Sequence, residues 1–367
     1  MSIRPTQVEI DLEALRHNVR LMRETAGGAK VLAVVKADAY GHGAVPCAKA
    51  ALEAGADMLA VALIEEGIEL REAGIEAPIL MLGQTDSRGA FAAVEYGIAQ
   101  VVFTEDVLLA LEGAARSLGV TAQAHIKLDT GMNRIGVRTA EELEQLLAVA
   151  EQCPHVHIAG AMTHFATADV PESDFGEEQI KKYENMLAVI EKNGLTVTRH
   201  AAASAAAVRY AQAHYDMVRA GIMMYGCDEM HVLPVKPVLK WVTKVVHVKT
   251  IAAGETVSYG RRFTAQQETK IATIPVGYAD GYKRAFTNRA QVLISGQRVN
   301  VAGTVCMDQV MLDVTGLDVK PGDEVVLLGT QGGEEITAQE LADIAGTICY
   351  EILTGITKRV PRRYVHE

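Results

Sequence analysis

An α/β architecture, a TIM-type (β/α)8 barrel followed by a mainly β C-terminal domain, is predicted by three features of this 367-residue chain. Between about residues 30 and 226, short apolar β-branched runs alternate with segments of helical periodicity. About eight such units occur, the number that closes a parallel sheet into a barrel. After residue 232 the texture changes to closely spaced strands separated by Gly and Asp turns. A doubly wound open sheet is the competing architecture. No GxGxxG follows the first run, and eight similar units suit closure better.

Taken in order, Gln7 to Ile10 alternate as a strand expected to pair with the β domain. Apolar runs follow at 30–36, 58–63, 79–82, 100–104, 122–129, 157–163, 199–203 and 217–224. Their lack of alternation implies strands buried on both faces, as in a parallel sheet under helices. Helical stretches lie at 65–74, 105–119 and 177–194; the last has Ile180, Tyr183, Met186, Leu187 and Ile190 on one face and Gly194 as its stop. Pro234 and Pro237 mark a linker. The barrel is therefore expected over 11–231, and the β domain over 1–10 plus 232–367. Within the latter only 336–346 reads as a clear helix, with Thr337 as its N-cap.

A net charge of −11 without a basic run argues against nucleic acid or an anionic membrane as partner. There is no apolar run long enough to span a bilayer and no secretory h-region. The five cysteines are scattered and never form CxxC, which opposes a disulfide framework or structural zinc and fits reduced thiols in a cytoplasm. No metal site is expected.

The chemistry begins at 31–43, VLAVVKADAYGHG, where Lys36 closes an apolar run and Tyr40 follows. Desolvation pushes such a lysine toward the neutral amine that Schiff-base chemistry needs. The plainer reading is a lysine that snorkels to water. Barrel active sites stand at the carboxyl ends of the strands, and the unusual polar residues gather there. Lys127 and Asp129 end the fifth run, with Arg134 in TGMNRIG after it. His164 ends the sixth, His200 lies in the seventh ahead of Ser204, and Arg219 precedes Gly221 in the eighth. Each alone is most simply structural; their joint placement is the signal. The loops after strands seven and eight of such barrels commonly bind phosphate through backbone N–H groups. Ser204 offers a hydroxyl there (or an ordinary N-cap), Gly221 permits close approach, and Tyr40 adds a donor. A lysine amine and a phosphate cradle at one barrel mouth point to pyridoxal 5′-phosphate. In the β domain, Tyr259 in GETVSYGRRF, Tyr278 in VGYADGY, Met307 and Asp308 in GTVCMDQV, and Tyr350 stand near turns. Tyrosine at a turn is most often packing; acid–base use requires Tyr259 at the reacting carbon.

The motifs AVVKADAYGHG, KLDTGMNRIG, MTHFA, MVRAGIMMYG, ETVSYG, VGYADGY, GTVCMDQ and RVPR occur in this order along nearly the whole chain, which thereby resembles the alanine racemase family, fold-type III pyridoxal-phosphate enzymes. The resemblance implies a homodimer whose active sites join one subunit's barrel to the partner's β domain. It implies that Lys36 carries the cofactor, that Tyr40, Ser204, Gly221, Ile222 and Tyr350 hold its phosphate, and that Arg219 faces its ring nitrogen. Arg134 would bind the substrate carboxylate, with Met307 lining the site. Lys127 matches a lysine often carbamylated in the family, buttressing Arg134. His164 and His200 would tune Tyr259 and Arg219, Tyr278 would narrow the entrance, and Asp308 would support that region. One departure is Ala203, where the family more often has Asn. The implied activity interconverts L- and D-alanine with Lys36 and Tyr259 as bases on opposite faces of Cα, supplying D-alanine for peptidoglycan. The alternatives are a racemase of serine or a broader amino-acid set, a non-catalytic pyridoxal-phosphate-binding protein and an amino-acid decarboxylase. The filled β-domain motifs oppose the non-catalytic reading, and the Tyr259 motif opposes a decarboxylase.

Overall fold

The computed structural model describes residues 4–83 and 86–366. Among them two compact units separate, one of Leu15–Ala39 with the described residues of Ala44–Val235, the other of residues 4–14, 40–43 and 236–366. The first described strand, β1 (Gln7–Asp11), belongs to the second of these.

In the first unit the apolar runs become β2 (Lys30–Val34), β3 (Met58–Val61), β4 (Ile79–Met81), β5 (Ile98–Val102), β6 (Ala122–Lys127), β7 (Val156–Met162), β8 (Thr198–His200) and β9 (Met217–Ala220). All pair in parallel with their neighbours, and β9 returns to β2 in the register Leu32↔Arg219. A backbone bridge between Ala203 and Arg219 spans the last gap, so the sheet closes. Helices, among them Glu105–Leu118 and Phe175–Lys192, alternate with the strands. Every residue of β5 is buried, as a strand between a barrel interior and a helix layer must be. Ile180, Tyr183, Met186, Leu187 and Ile190 turn inward from their helix.

Two ends depart from expectation. The eighth run is strand only to Ala220; beyond Gly221, Ile222–Tyr225 forms a 3-10 turn whose Tyr225 hydroxyl donates to Val34 O at 2.9 Å. The first strand stops before Lys36, and Ala37, Asp38, Ala39 and Tyr40 follow with φ of 52–54°. This is a left-handed turn of four non-glycine residues, each costing about 1–2 kcal/mol. Side chains hold it: Glu66 Oε1 accepts from Ala37 N–H at 2.7 Å, and Asp38 Oδ1 from Ala44 N–H at 2.8 Å.

In the second unit, β1 pairs antiparallel with β10 (Leu239–Lys244) and parallel with β20 (Arg362–Val365). They lie in a sheet with β11 (His247–Ile251), β14 (Thr269–Ile274), β15 (Gln291–Ile294), β16 (Gln297–Val301), β17 (Val310–Asp313), β18 (Glu324–Gln331) and β19 (Glu334–Ile336). Trp241, Tyr282 and Phe286 pack edge to face in its core. A separate hairpin, β12 (Thr256–Val257) and β13 (Phe263–Thr264), roots Val257 and Phe263 in a cluster with Ile251, Ile271 and Ala302. Thr337 caps the helix Ala338–Ala345 by accepting from Glu340 N–H. Cys349–Thr354 forms a second helix, beyond the single helix expected in this unit.

Candidate active site

The barrel unit gathers six of the expected residues into one electrostatic cluster. Arg219, in β9, is buried, and its Nη1 donates to His200 O (2.9 Å) and His200 Nδ1 (3.3 Å). Its Nη2 donates to Thr163 O (2.8 Å), Ala201 O (2.8 Å) and His164 Nδ1 (3.1 Å). No acceptor among the described residues meets its Nε–H. Burial lowers this guanidinium to about 10, so it stays charged at neutral pH. The carbonyls that hold it come from residues just beyond β7 and at the end of β8, which is how a strand-end arginine is oriented with no carboxylate partner.

Burial, then the neighbouring cations Arg219, Lys127, Arg134 and Lys36, pushes His164 well below the ordinary histidine range. His200 is likewise depressed by burial, His125 and Arg219. Lys127 is depressed to about 7, chiefly by burial and then by Arg219, and its Nζ donates only a long bond, 3.4 Å, to Leu128 O. Lys36 is lowered chiefly by burial and then by Arg134, with Glu66 pulling the other way and Arg219 adding a lesser push down. Arg134 is exposed on its loop and meets no acceptor among the described residues. That loop turns on Gly136 (φ +125°), where a Cβ would stand 2.9 Å from Asp129 N. Two arginines flanked by two desolvated lysines, with few carboxylates near them, form a receptor for anions.

Ser204 is the first residue of the helix Ser204–Arg209 rather than its N-cap, which is Ala203. Its Oγ instead accepts from Gly221 N–H at 2.8 Å, and Ile222 is buried beside that glycine in sequence. Ala203 contributes backbone pairing to Arg219.

The β unit holds the other candidates. Tyr259 is 72% exposed at the tip of the β12–β13 hairpin. Ser258 before it adopts φ +67°, and reciprocal bonds clamp the pair: Ser258 Oγ donates to Thr304 O and Thr304 Oγ1 to Tyr259 O, both at 2.7 Å. Tyr278 N–H donates to Cys306 O and Ala279 N–H to Met307 O, tying the Tyr278 and Met307 loops together. Both side chains are exposed. Behind them the buried Asp280 accepts two 2.6 Å bonds from Arg4 and one from Gly277 N–H, while Arg359 donates to Asp308 at 2.8 Å. Tyr40 is buried with its ring centroid 5.9 Å from that of Tyr350, and burial raises its hydroxyl.

Sequence reasoning missed His125, whose Nδ1 lies 2.8 Å from His200 Nε2, and the supporting residues Glu66, Thr304 and Arg4. It also missed Gln179, which donates to Thr130 and His164 O and accepts from Ala166 N–H. The sequence signal for His125 is its place two residues before Lys127 on the same strand face, which orients the ring but does not reveal its partners.

A closed parallel barrel with a desolvated lysine and an anion-receiving mouth, followed in the chain by a β unit that presents an exposed tyrosine, defines a two-domain barrel enzyme. Profiles described as "Alanine racemase, N-terminal domain" and "Alanine racemase, C-terminal domain" match residues 10–229 and 238–364. Alanine racemase of Symbiobacterium thermophilum is 48% identical, with 99% of this chain and 97% of the relative covered. That of Carboxydothermus hydrogenoformans is 45% identical over 99% and 100%. The crystal structure of alanine racemase from Bacillus anthracis with bound L-Ala-P superposes with a TM-score of 0.95 at 39% identity, covering 100% of this chain and 96% of that one. The chain belongs to the alanine racemase family and is an isomerase. Histidine racemase from Leuconostoc mesenteroides subsp. sake is also similar, with a TM-score of 0.90 at 29% identity.

Proposed function

We propose that the chain interconverts L- and D-alanine with pyridoxal 5′-phosphate, acting in the cytoplasm as a homodimer to supply D-alanine for peptidoglycan. The bound cofactor supplies an electron sink for the carbanion formed at Cα. The residues present fit that group: Arg219 Nε–H meets no acceptor among the described residues and is left for a ring nitrogen, and the Ser204 hydroxyl stands beside the Gly221 amide at the strand-nine turn, where phosphate is expected. An arginine that stays protonated holds a ring nitrogen as an acceptor and moderates the sink, which limits transamination.

Lys36 is the attachment point and, once released, the base serving the D face of Cα; Tyr259, from a second copy, serves the L face. Arg134 receives the substrate carboxylate beside Met307. Lys127 bears a carbamate, formed when its neutral amine adds to CO2 and releases a proton, and the anion orients Arg134. The observation that carries the reading is the Lys36 environment, where burial and two arginines disfavour the ammonium. Serine turnover is expected as a minor activity, because a pocket discriminates one hydroxyl by only about 10–200-fold. Incubation with L-alanine, L-serine and L-histidine, followed by chiral chromatography, tests the substrate. Borohydride treatment with peptide mapping tests the attachment. Racemisation of alanine with an adduct on Lys36 is expected; no adduct, or racemisation of histidine alone, contradicts the proposal.

A further inference from the structure

Beyond Arg219 a chain of nitrogen contacts runs into the barrel interior. Arg219 Nη1 reaches His200 Nδ1, and His200 Nε2 reaches His125 Nδ1 at 2.8 Å. A guanidinium only donates, so His200 Nδ1 must present its lone pair to Arg219. Neutral His200 then carries its proton on Nε2 and donates it to His125 Nδ1. His125 in turn must carry its own proton on Nε2. Burial keeps both rings neutral, His125 falling to about 4. The barrel makes room for this ring at Gly160. His125 sits opposite Gly160 across a register irregularity in β6–β7, and a Cβ at 160 would stand 2.2 Å from His125 Nδ1. Without an acceptor at His125, the Nε2–H form of His200 would leave a buried donor unpaired, and the other tautomer would aim an N–H at Arg219.

We propose that His125 is a positioning residue that selects the tautomer of His200 and thereby aims the Arg219 guanidinium. The inference deepens the proposed function and rests on it only for the link to turnover.

The test uses the full-length chain with 15N-labelled histidine, measured by NMR with and without pyridoxal phosphate, together with racemisation kinetics. His125→Asn places an amide oxygen near the Nδ1 position and keeps an acceptor; His125→Leu has none. The wild type and His125→Asn are expected to show His200 protonated on Nε2, with kcat within about threefold of each other. His125→Leu is expected to show mixed tautomers, with kcat about tenfold lower at unchanged KM, the scale of one unpaired buried donor. If the leucine variant does not fold, His125→Gln, whose acceptor stands nearer the Nε2 position, replaces it with the same expectation. An unchanged His200 tautomer in the acceptor-less variant overturns the inference, as does unchanged kcat despite a changed tautomer. If no racemase activity is found at all, the proposed function fails while the NMR arm still decides the tautomer.

Discussion

Replacing Lys127 by Met should stabilise the fold while harming catalysis. The amine is depressed from the ordinary 10.5 to about 7, chiefly because it is desolvated. At 1.36 kcal/mol per pH unit, that depression corresponds to about 5 kcal/mol of unfavourable burial at neutral pH. Between pH 10.5 and about 7 the unfolded lysine holds a proton that the folded one lacks, so wild-type stability rises with pH through that window. Below about 7 both forms are protonated and the full cost remains. Met matches the length of the side chain and forfeits only the long bond to Leu128 O. Lys127→Met is therefore expected to be about 3–5 kcal/mol more stable than the wild type near pH 7 in CO2-free buffer, and nearly equal near pH 10. Urea denaturation at both pH values measures this. Added bicarbonate should narrow the gap by stabilising the wild type alone, through the carbamate. A variant less stable at both pH values, with a difference independent of pH, would refute the desolvated amine and with it the carbamate.

Three further outcomes follow from the same geometry. Thr304→Val removes the hydroxyl that holds Tyr259 O and should lower kcat about tenfold with unchanged circular dichroism; wild-type kcat would show that the clamp is dispensable. Asp280→Ala removes the acceptor shared by Arg4 and Gly277 N–H and should cost about 1.5–3 kcal/mol in urea denaturation, with a loss under about 0.5 kcal/mol contradicting the network. Ala37→Gly should be neutral within about 1 kcal/mol, because it relieves a left-handed residue, whereas Ala148→Gly in the exposed face of Ala140–Ala150 should cost about 1 kcal/mol; equal losses at both sites would argue against the left-handed turn.

Much of the barrel was legible because buried parallel strands need uninterrupted β-branched runs, as in VLAVV before Lys36, and the helices between them show their buried face at 3.6-residue spacing. The left-handed turn was not, since Ala, Asp, Ala and Tyr carry little preference for that conformation and the cause lies in Glu66, 29 residues from Ala37. The helix Cys349–Thr354 was hidden by its length, six residues rich in β-strand formers. In the site, strand-end residues such as His164 and Arg219 stood out by polarity at apolar termini. His125 did not, because it lies within a strand and owes its place to an absent side chain at Gly160, a partner that pairing across β6 and β7 alone reveals. Ser204 was legible as a residue at the barrel mouth, but its bond from the Gly221 amide was not, because that partner lies 17 residues further on.

The central claim, two bases on opposite faces of Cα, is tested most directly by Tyr259→Phe in deuterium oxide, following both racemisation and Cα-deuterium incorporation from each alanine isomer. Loss of racemisation by about 100-fold or more, with deuterium still entering D-alanine through Lys36 but not L-alanine, is the expected result. Near-wild-type racemisation, or equal exchange from both isomers, would contradict it.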